Sequence, residues 1–352
     1  MIVKNEASII KRCLNSVKDI IDTWCIVDTG STDNTKELIK EALKDIPGKL
    51  ISEPWVNFGH NRTQAYEYAR EMGDWVLFID ADHIIENNGF LKKDLDKIYT
   101  HYNLEQRSET LSYENIRLLN TKKDWKCIGV THEYWDVKDS HGKKLESLVI
   151  IDLEDGGSKG NKFERDLKLL RKGLKEEPKN TRYKFYLAQT HKDLGHFKKA
   201  YFWYDVCLKE SKWDEEVWYC EYMKGYCLKM SNAPISEIEL QVMKTWLLRP
   251  WRIEPVYMLG KLFKEKDWRK YYHLLKLCKS IDFPKNDILF IEHHLYGDLI
   301  VDELSIAAYW IGNKQESVVL MEQLLKTSYG LNAKDRILQN IELVKSSINN
   351  SL

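Results

Sequence analysis

The sequence predicts an α/β domain over residues 1–160, followed by an all-α domain over residues 161–352. Short β-rich runs alternate with helical patterns as far as a glycine-rich stretch at residues 155–166, and beyond it the pattern is helical. The length of 352 residues agrees with two domains. Hydrophobic residues make up 43% of the chain and charged residues 31%, which supplies apolar material for two cores and excludes wholesale disorder.

The first domain is predicted to contain a parallel sheet with crossover helices, because strands and helices alternate along it. In order, the pattern gives a strand at MIVKNEA, a helix over 9–21, a strand at 24–28, a helix after the TGSTDNT turn, a strand at 49–53, a helix from about residue 61 and a strand at 75–80. Ligands of such sheets bind beyond the carboxyl ends of the strands. Acidic residues stand at two of those ends, Asp28 and the pair Asp80 and Asp82.

The second domain is predicted to be a helical repeat. Residues 182–210, RYKFYLAQTHKDLGHFKKAYFWYDVCLKE, place small and apolar residues near the positions that a tetratricopeptide unit uses for its two packed helices. A comparable order recurs from Ile306 in IAAYWIGNKQESVVLMEQLL. Because such units stack into one continuous core, we expect packed helical pairs, with strict tetratricopeptide geometry left open.

Charge and composition exclude several classes of protein. Lys and Arg total 54, as do Asp and Glu, and this zero net charge argues against a nucleic-acid coat or a polybasic membrane binder. No apolar run approaches the roughly 18 residues of a membrane span, and Lys4 and Glu6 stand where a signal peptide would be apolar. The seven cysteines are scattered, without a C-x-x-C pair, which argues against a disulfide framework or a structural zinc site. We therefore expect a cytoplasmic protein.

The segment FIDADH carries the sharpest chemical signal. In an extended segment, Asp80 and Asp82 point the same way, so both carboxylates can face one site. Adjacent carboxylates repel each other unless a cation lies between them, and oxygen ligands favour Mg²⁺ or Mn²⁺, which can bridge a diphosphate. The alternative is an ordinary surface turn that closes a strand. His83, which follows, is either a further metal or phosphate contact or a solvated polar residue.

Five segments, taken together and in order, resemble family-two glycosyltransferases of GT-A fold over nearly all of residues 1–160. They are MIVKNEA, IVDTGSTDNT, FGHNR, LFIDAD and GVTHEYW. The resemblance implies a nucleotide-binding α/β sandwich, an aspartate motif that binds a divalent metal on the diphosphate of a nucleotide sugar, and transfer that inverts the anomeric centre. The first strand is shorter than is usual in the family, so we expect that a few upstream residues are absent.

Carried over by position, the resemblance implies roles for the acidic residues. Asp28 would bind the base or ribose of the nucleotide, with Asp33 as a weaker candidate. Asp80 and Asp82 would hold the metal, and Asp80 would also contact the sugar nucleotide.

Four further polar residues are candidate nucleotide or phosphate contacts, together with a lysine. Asn5 and Glu6 follow the first strand, and their alternative is a solvated strand end. Asn61 and Arg62 open a helix, where Arg62 would pair with phosphate or with one of the acids, the alternative being an ordinary surface arginine. Lys162 closes the glycine-rich stretch, which is either a flap over the diphosphate or an interdomain hinge.

An inverting transfer needs a general base on the acceptor side, and this help is worth roughly 10² to 10⁴ in rate. Related glycosyltransferases of lipopolysaccharide assembly carry a His-Glu pair like that in GVTHEYW, and by this resemblance Glu133 is the predicted base, with Asp136 as runner-up. If the segment is a strand, His132 and Glu133 point to opposite faces, so that one of them is structural or a phosphate contact.

The sequence thus predicts a metal-dependent, inverting, hexosyltransferase-like enzyme with a nucleotide sugar, most simply UDP-linked, as donor and Mn²⁺ or Mg²⁺ as cofactor. The helical domain would recruit a glycan, protein or peptide acceptor, or form a homodimer. The alternative is a helical-repeat scaffold whose nucleotide-sugar-binding domain is inactive.

Overall fold

The computed structural model describes residues 1–108, 112–156 and 162–349. They fall into two compact units, Met1–Pro178 and Lys179–Leu352. The division predicted at residues 160 and 161 lies outside the described residues. The helix that follows it, Lys162–Glu176, belongs to the first unit.

Three strands of the first unit form a parallel sheet, as the alternating pattern predicts. In spatial order they are β1 (Ile2–Val3), β2 (Trp24–Asp28) and β3 (Gly48–Ser52). The helices that follow these strands are α1 (Ile10–Val17), α2 (Thr35–Ala42) and α3 (Phe58–Ala69). Because Val3 pairs with Asp28, the carboxyl ends of β1 and β2 lie side by side.

Five strands form a second, mixed sheet in the order β4-β7-β6-β10-β5. They are β4 (Trp75–Leu77), β5 (His83–Asn87), β6 (His101–Arg107), β7 (Ser112–Asn120) and β10 (Gly142–Asp152). A separate antiparallel pair is formed by β8 (Lys126–Ile128) and β9 (Tyr134–Asp136). The last helix of this unit is α4 (Lys162–Glu176).

The strand predicted at residues 75–80 differs from expectation in two ways. It ends at Leu77, and it pairs antiparallel with β7 instead of extending the parallel sheet. The Phe78 amide still donates to the Arg117 carbonyl at 2.7 Å, but the Asp80 amide turns to the His83 ring, so that the aspartate motif lies in a turn. Pairing with a segment about 40 residues downstream is invisible to local periodicity.

The GVTHEYW segment, expected to be a strand or the end of one, enters a strand only at Tyr134 and Trp135, which belong to β9. His132 and Glu133 lie in the bend between β8 and β9, and His132 has a positive φ of 51°. The rule that adjacent strand residues point to opposite faces therefore does not apply to this pair.

The second unit is helical in all its regular structure among the described residues, as predicted. Its helices are α5 (Thr181–Asp193), α6 (Phe197–Glu210), α7 (Asp214–Met230), α8 (Ile235–Leu248), α9 (Glu254–Phe263), α10 (Trp268–Lys279), α11 (Asp298–Trp310), α12 (Lys314–Leu324), α13 (Ser328–Asn332) and α14 (Lys334–Asn349). Successive helices pack on each other, for example α5 on α6 and α11 on α12. Both of these hairpins, which contain the predicted repeats, turn at a glycine with positive φ, Gly195 and Gly312. In the described parts of the chain, we find no helix that combines the length and the apolar character needed to cross a bilayer.

A buried ion-pair network lies in the core of the second unit. Arg252 is fully buried, its Nη2 lies 2.8 Å from Glu254 Oε1 and its Nη1 lies 3.3 Å from Asp287 Oδ2. Its guanidinium also lies over the Trp218 ring, 4.2 Å from the centroid. Since Glu254 is fully buried as well, each charge depends on the other for its compensation.

We expect Arg252→Met to lower the free energy of unfolding by roughly 3–5 kcal/mol, because it leaves the buried Glu254 carboxylate without its cation. Urea denaturation followed by tryptophan fluorescence measures the change. Lys345→Met is the matched control: it removes an exposed ion pair with Glu322, and we expect a loss of at most about 1 kcal/mol. Equal effects of the two substitutions would contradict this prediction.

Candidate functional site

A cleft of about 760 Å³ opens in the first unit beside the end of β1. The predicted site residues in its wall are Asn5, Glu6, Arg62, Asp80, Asp82 and Lys162. Other polar residues of the wall are His83, Gln106, Asp152, Glu154 and Arg165. The cleft therefore collects charged groups from distant parts of the chain at the edge where ligands of parallel sheets bind.

A second cavity, of about 390 Å³, lies between β2 and β4. Core side chains such as Leu14, Ile26 and Phe78 line most of it. We place the candidate site in the larger cleft, because convergent polar groups are what orients a ligand.

Asp28 and Asp33 are not in the wall of the cleft. Asp28 is 2% exposed, and its carboxylate accepts a hydrogen bond from the Ser31 amide at 3.2 Å. Asp33 accepts one from the Ala7 amide at 3.2 Å. Both carboxylates thus hold the backbone around the TGSTDNT turn, and their nucleotide contacts stay predictions.

The end of β1 is tied to the same turn. Asn5, which has a positive φ of 56°, accepts a hydrogen bond from the Thr32 amide at 2.8 Å. The Glu6 amide donates to the Thr35 hydroxyl at 2.8 Å, and Glu6 is only 8% exposed. The solvated strand end considered for these residues therefore does not describe Glu6.

The start of α3 packs closely against the bend that carries Glu133. Asn57 caps the helix by accepting from the His60 amide at 2.8 Å. The Gly59 amide donates to the Gly129 carbonyl at 3.0 Å, and a Cβ at Gly59 would lie 2.4 Å from that oxygen. Only glycine permits this approach, which brings Arg62 beneath the bend. Asn61, fully buried, accepts from the Val56 amide at 2.9 Å and holds the loop before the helix.

Arg62 lies between the aspartate motif and the predicted base. Its Nη2 lies 2.7 Å from Asp80 Oδ1, and its Nε lies 2.8 Å from Glu133 Oε1, the latter as an ion pair without an aligned hydrogen bond. The Arg62 side chain is 11% exposed and that of Glu133 16%. Arg62 therefore pairs with two acids, and its predicted contact with phosphate stays a prediction. Asp136, the other candidate base, is exposed on β9.

Two residues of this cluster had no signal in the sequence. Arg117 on β7 places Nη1 3.2 Å from Asp80 Oδ2, so both oxygens of Asp80 face guanidinium groups. Gln106 on β6 accepts from Arg117 Nη2 at 2.7 Å and donates to Asp152 Oδ2 at 2.9 Å. Both residues reach the site through strand pairing, and only a prediction of the sheet order could have found them.

Three of the carboxyl groups in the cleft wall, those of Asp80, Asp82 and Asp152, differ in their acidity. Burial opposes ionisation of Asp80, but the charges of Arg62 and Arg117 hold its pKa far below the usual range. Burial, and then the negative charge of Asp80, raise the pKa of Asp82. Burial also opposes ionisation of Asp152, yet His83 lowers the pKa of this carboxyl to about 2. The arginines therefore compensate Asp80, whereas the negative charge of Asp80 disfavours ionisation of Asp82.

His83 and Asp152 face each other across the pairing of β5 with β10, where they are in register. Directly opposite residues of an antiparallel pair share one face of the sheet. His83 Nε2 accordingly lies 3.7 Å from Asp152 Oδ2 and 3.9 Å from Asp82 Oδ1. His83 is 2% exposed, which excludes the solvated alternative.

Asp82, His83 and Asp152 together offer a donor set for a divalent cation. One ligand atom from each lies within 4.8 Å of the others. Around an octahedral ion with bonds of about 2.1 Å, neighbouring ligand atoms would be about 3 Å apart and opposite ones about 4.2 Å apart. Side-chain movements of less than about 2 Å would therefore bring these three ligand atoms to coordination distance of one ion. Two carboxylates with an imidazole suit Mn²⁺, and oxygen ligands also suit Mg²⁺. The residues present therefore fit the cation that the sequence predicts.

Residues 157–161 of the glycine-rich stretch lie outside the described residues, so its role as a flap or a hinge stays a prediction. Lys162 is exposed and begins α4, with Arg165 in the same first turn, and both line the cleft. Asp166, 2% exposed, accepts from the Thr131 hydroxyl at 3.2 Å. Arg165 lies over the Phe58 ring, 5.0 Å from its centroid. The start of α4 is thus fixed to the bend that carries Glu133.

We expect Arg62→Met to lower the free energy of unfolding by roughly 3–5 kcal/mol, because it removes the cation between two largely buried carboxylates. Thermal and urea denaturation check this. Arg70→Met is the control, since Arg70 directly follows the same helix but pairs with the exposed Asp124, and we expect a loss of at most about 1 kcal/mol. If Arg62→Met left the free energy of unfolding unchanged, the role assigned to Arg62 would be contradicted.

Comparison with known proteins identifies relatives of the chain. The family model described as "Glycosyl transferase family 2" matches residues 1–104. The SPbeta prophage-derived glycosyltransferase SunS of Bacillus subtilis is 30% identical over 206 residues, which are 54% of this chain and 47% of that protein. A TPR repeat-containing protein of Synechococcus elongatus is 35% identical over 144 residues, or 39% of this chain and 34% of that protein. The chain thus spans about half, or less, of the length of these relatives.

Among solved structures, a thermophilic TPR protein of Thermus thermophilus is similar with a TM-score of 0.34 and 14% sequence identity, over 51% of this chain and 90% of that one. The family match covers β1 to β5 and the aspartate motif, and so includes most of the cleft wall. Residues 1–104 of this chain form a glycosyl transferase family 2 domain.

Proposed function

We propose that the protein is a metal-dependent glycosyltransferase that transfers a sugar, with inversion, from a nucleotide sugar to a glycan, protein or peptide. UDP-hexoses are the proposed donors. The observation that carries the proposal is the meeting of Asp82, His83 and Asp152 in one cleft, whose wall lies mostly in the family 2 match and also includes the cationic start of α4. The similarity to the Bacillus glycosyltransferase SunS supports glycosyl transfer as the type of reaction.

Three of the cationic residues in the cleft wall, Arg62, Lys162 and Arg165, have two different tasks in this proposal. Arg62 is engaged by Asp80 and Glu133, so it positions these acids. Lys162 and Arg165 stand in the first turn of α4, where the helix dipole also favours an anion. Arg165 also pairs with the buried Asp166, with Nε 3.3 Å from Oδ1. We assign the donor diphosphate to these two residues. Asn5 and Glu6 line the same cleft at the end of β1 and are assigned to the nucleotide or its sugar.

The general base of the proposed reaction is Glu133. It is joined to the cleft through Arg62, whereas Asp136 is exposed on β9. When bound, a divalent cation would neutralise charge on the leaving diphosphate. Glu133 would take the proton from the acceptor hydroxyl as that oxygen attacks the anomeric carbon, and Lys162 would hold the departing diphosphate.

Incubation with a panel of nucleotide sugars tests this proposal. We expect the wild-type protein to release nucleoside diphosphate from one UDP-sugar with Mn²⁺ and to stop when a chelator is added. Glu133→Gln should lower transfer by roughly 10²–10⁴-fold while UDP still binds, because it removes the proton acceptor. It also removes the carboxylate that pairs with Arg62, so circular dichroism and thermal denaturation must show that this variant is folded. Asp155→Asn is the control, since Asp155 pairs with Arg12. Full activity of the wild type in the presence of a chelator would overturn the proposed metal dependence. Full activity of Glu133→Gln would overturn the assignment of Glu133 as the general base.

A second candidate function, a scaffold, is favoured by an apolar stripe on α8. Leu240, Met243 and Leu247 are 74%, 43% and 68% exposed and lie at positions i, i+3 and i+7, on one face of the helix. In the enzyme, this face would recruit the acceptor or a second copy of the chain. In a scaffold with an inactive first unit, it would be the working surface.

Calorimetric titration with UDP and Mn²⁺ distinguishes the two candidates. We expect binding of UDP that weakens at least about tenfold when Mn²⁺ is omitted, because the carboxylates of the cleft repel the diphosphate in the absence of a cation. No binding of UDP under any metal condition would favour the scaffold. Light scattering at several concentrations tests the proposed homodimer.

A further inference from the structure

The aspartate motif is divided between two environments. Asp80 has Arg62 Nη2 at 2.7 Å from one carboxylate oxygen and Arg117 Nη1 at 3.2 Å from the other. A divalent cation beside Asp80 would meet both guanidinium groups at short range, where like charges are strongly unfavourable in a partly buried site. Asp80 is therefore compensated within the protein and is a poor ligand.

Asp82 lies only two residues further on, but its neighbours are different. His83 Nε2 is 3.9 Å from Asp82 Oδ1, and Asp152 offers a ligand oxygen within 4.8 Å of both. Gly156 allows the chain after β10 to pass close to this carboxylate, because a Cβ there would lie 3.0 Å from Asp82 Oδ2. The end of β10 is thus part of the same small site as the aspartate motif.

Asp152 is held in place from two sides. Gln106 Nε2 donates to Asp152 Oδ2 at 2.9 Å, and the same Gln106 accepts from Arg117 at 2.7 Å. Arg117 therefore pairs with Asp80 and, through Gln106, orients Asp152. The other Asp152 oxygen accepts from the Glu154 amide at 3.0 Å, which fixes the turn after β10.

We propose that the divalent cation is bound by Asp82, His83 and Asp152, and that Asp80 is a partner of Arg62 and Arg117 outside the coordination sphere. This inference rests on the proposed function and deepens it, because it replaces one carboxylate of the predicted pair with a residue about 70 positions downstream. Gln106 is then a positioning residue for Asp152.

The two carboxylates should contribute more of the affinity than His83. The Asp80 amide donates to His83 Nδ1 at 3.2 Å, so the neutral ring carries its proton on Nε2. A cation held by Nε2 would require the ring proton on Nδ1, where it would replace the contact with the Asp80 amide, so His83 would contribute less than the carboxylates.

The ligand set can be tested by titrating the full chain with Mn²⁺, with and without UDP. The electron paramagnetic resonance signal of free Mn²⁺ measures how much of the ion is bound. We expect Asp82→Asn and Asp152→Asn each to weaken Mn²⁺ binding at least about tenfold, and His83→Gln to weaken it less. Asp80→Asn should weaken binding less than either of these two substitutions, because it removes a neighbouring charge and not a ligand. The control Asp155→Asn, which removes a carboxylate shortly after Asp152, should stay close to the wild type. Circular dichroism confirms that each variant is folded.

A measurement on the wild type keeps the test independent of how the variants fold. Pulsed electron paramagnetic resonance of bound Mn²⁺ should show coupling to an imidazole nitrogen. Absence of that coupling would overturn the proposal that His83 is a ligand. Wild-type affinity in folded Asp152→Asn would overturn the inference while leaving the proposed function intact. If the wild type binds no Mn²⁺ even with UDP, the metal dependence in the proposed function fails as well.

Discussion

The contact of Arg62 with Asp80 and Glu133 is the interaction on which the candidate site depends. It joins three parts of the chain that are separate in sequence: the first turns of α3, the aspartate motif and the bend between β8 and β9. None of these side chains is well solvated, so each charge is stable only because the others are present. The close packing of Gly59 against Gly129 sets the position of α3 that makes this contact.

A second consequence of the fold is that arginines separate the acids of the cleft. Arg62 and Arg117 compensate Asp80, whereas Asp82 and Asp152 face His83. This separation comes from strand order, because β7 supplies Arg117 and β10 supplies Asp152. One sheet therefore provides both the internal counter-charge and the proposed ligand oxygens. Neighbouring carboxylates repel each other, and a divalent cation bound between Asp82 and Asp152 would relieve that repulsion.

The helical unit uses the same physical means for a different purpose. Arg252 and Glu254 are buried as a pair in its core, and Arg252 also lies against Trp218. Here the charges bind the segment that contains Asp287 to the helices instead of lining a cleft. Composition alone cannot separate a structural pair of this kind from a functional one, because both consist of an arginine and a carboxylate. The distinction lies in access to a cleft.

Local pattern in the sequence determined the order of strands and helices from β1 to α3, the helical hairpins at Gly195 and Gly312, and the acids and arginine that meet in the cleft. These features follow from periodicity and from residue type, which act over a few positions. Tertiary structure alone decided that β4 joins β7, that Glu133 lies in a bend, and that Arg117, Gln106 and Asp152 reach the aspartate motif. Pairing between strands far apart in the chain depends on the whole sheet, so no local pattern reveals which charges become neighbours.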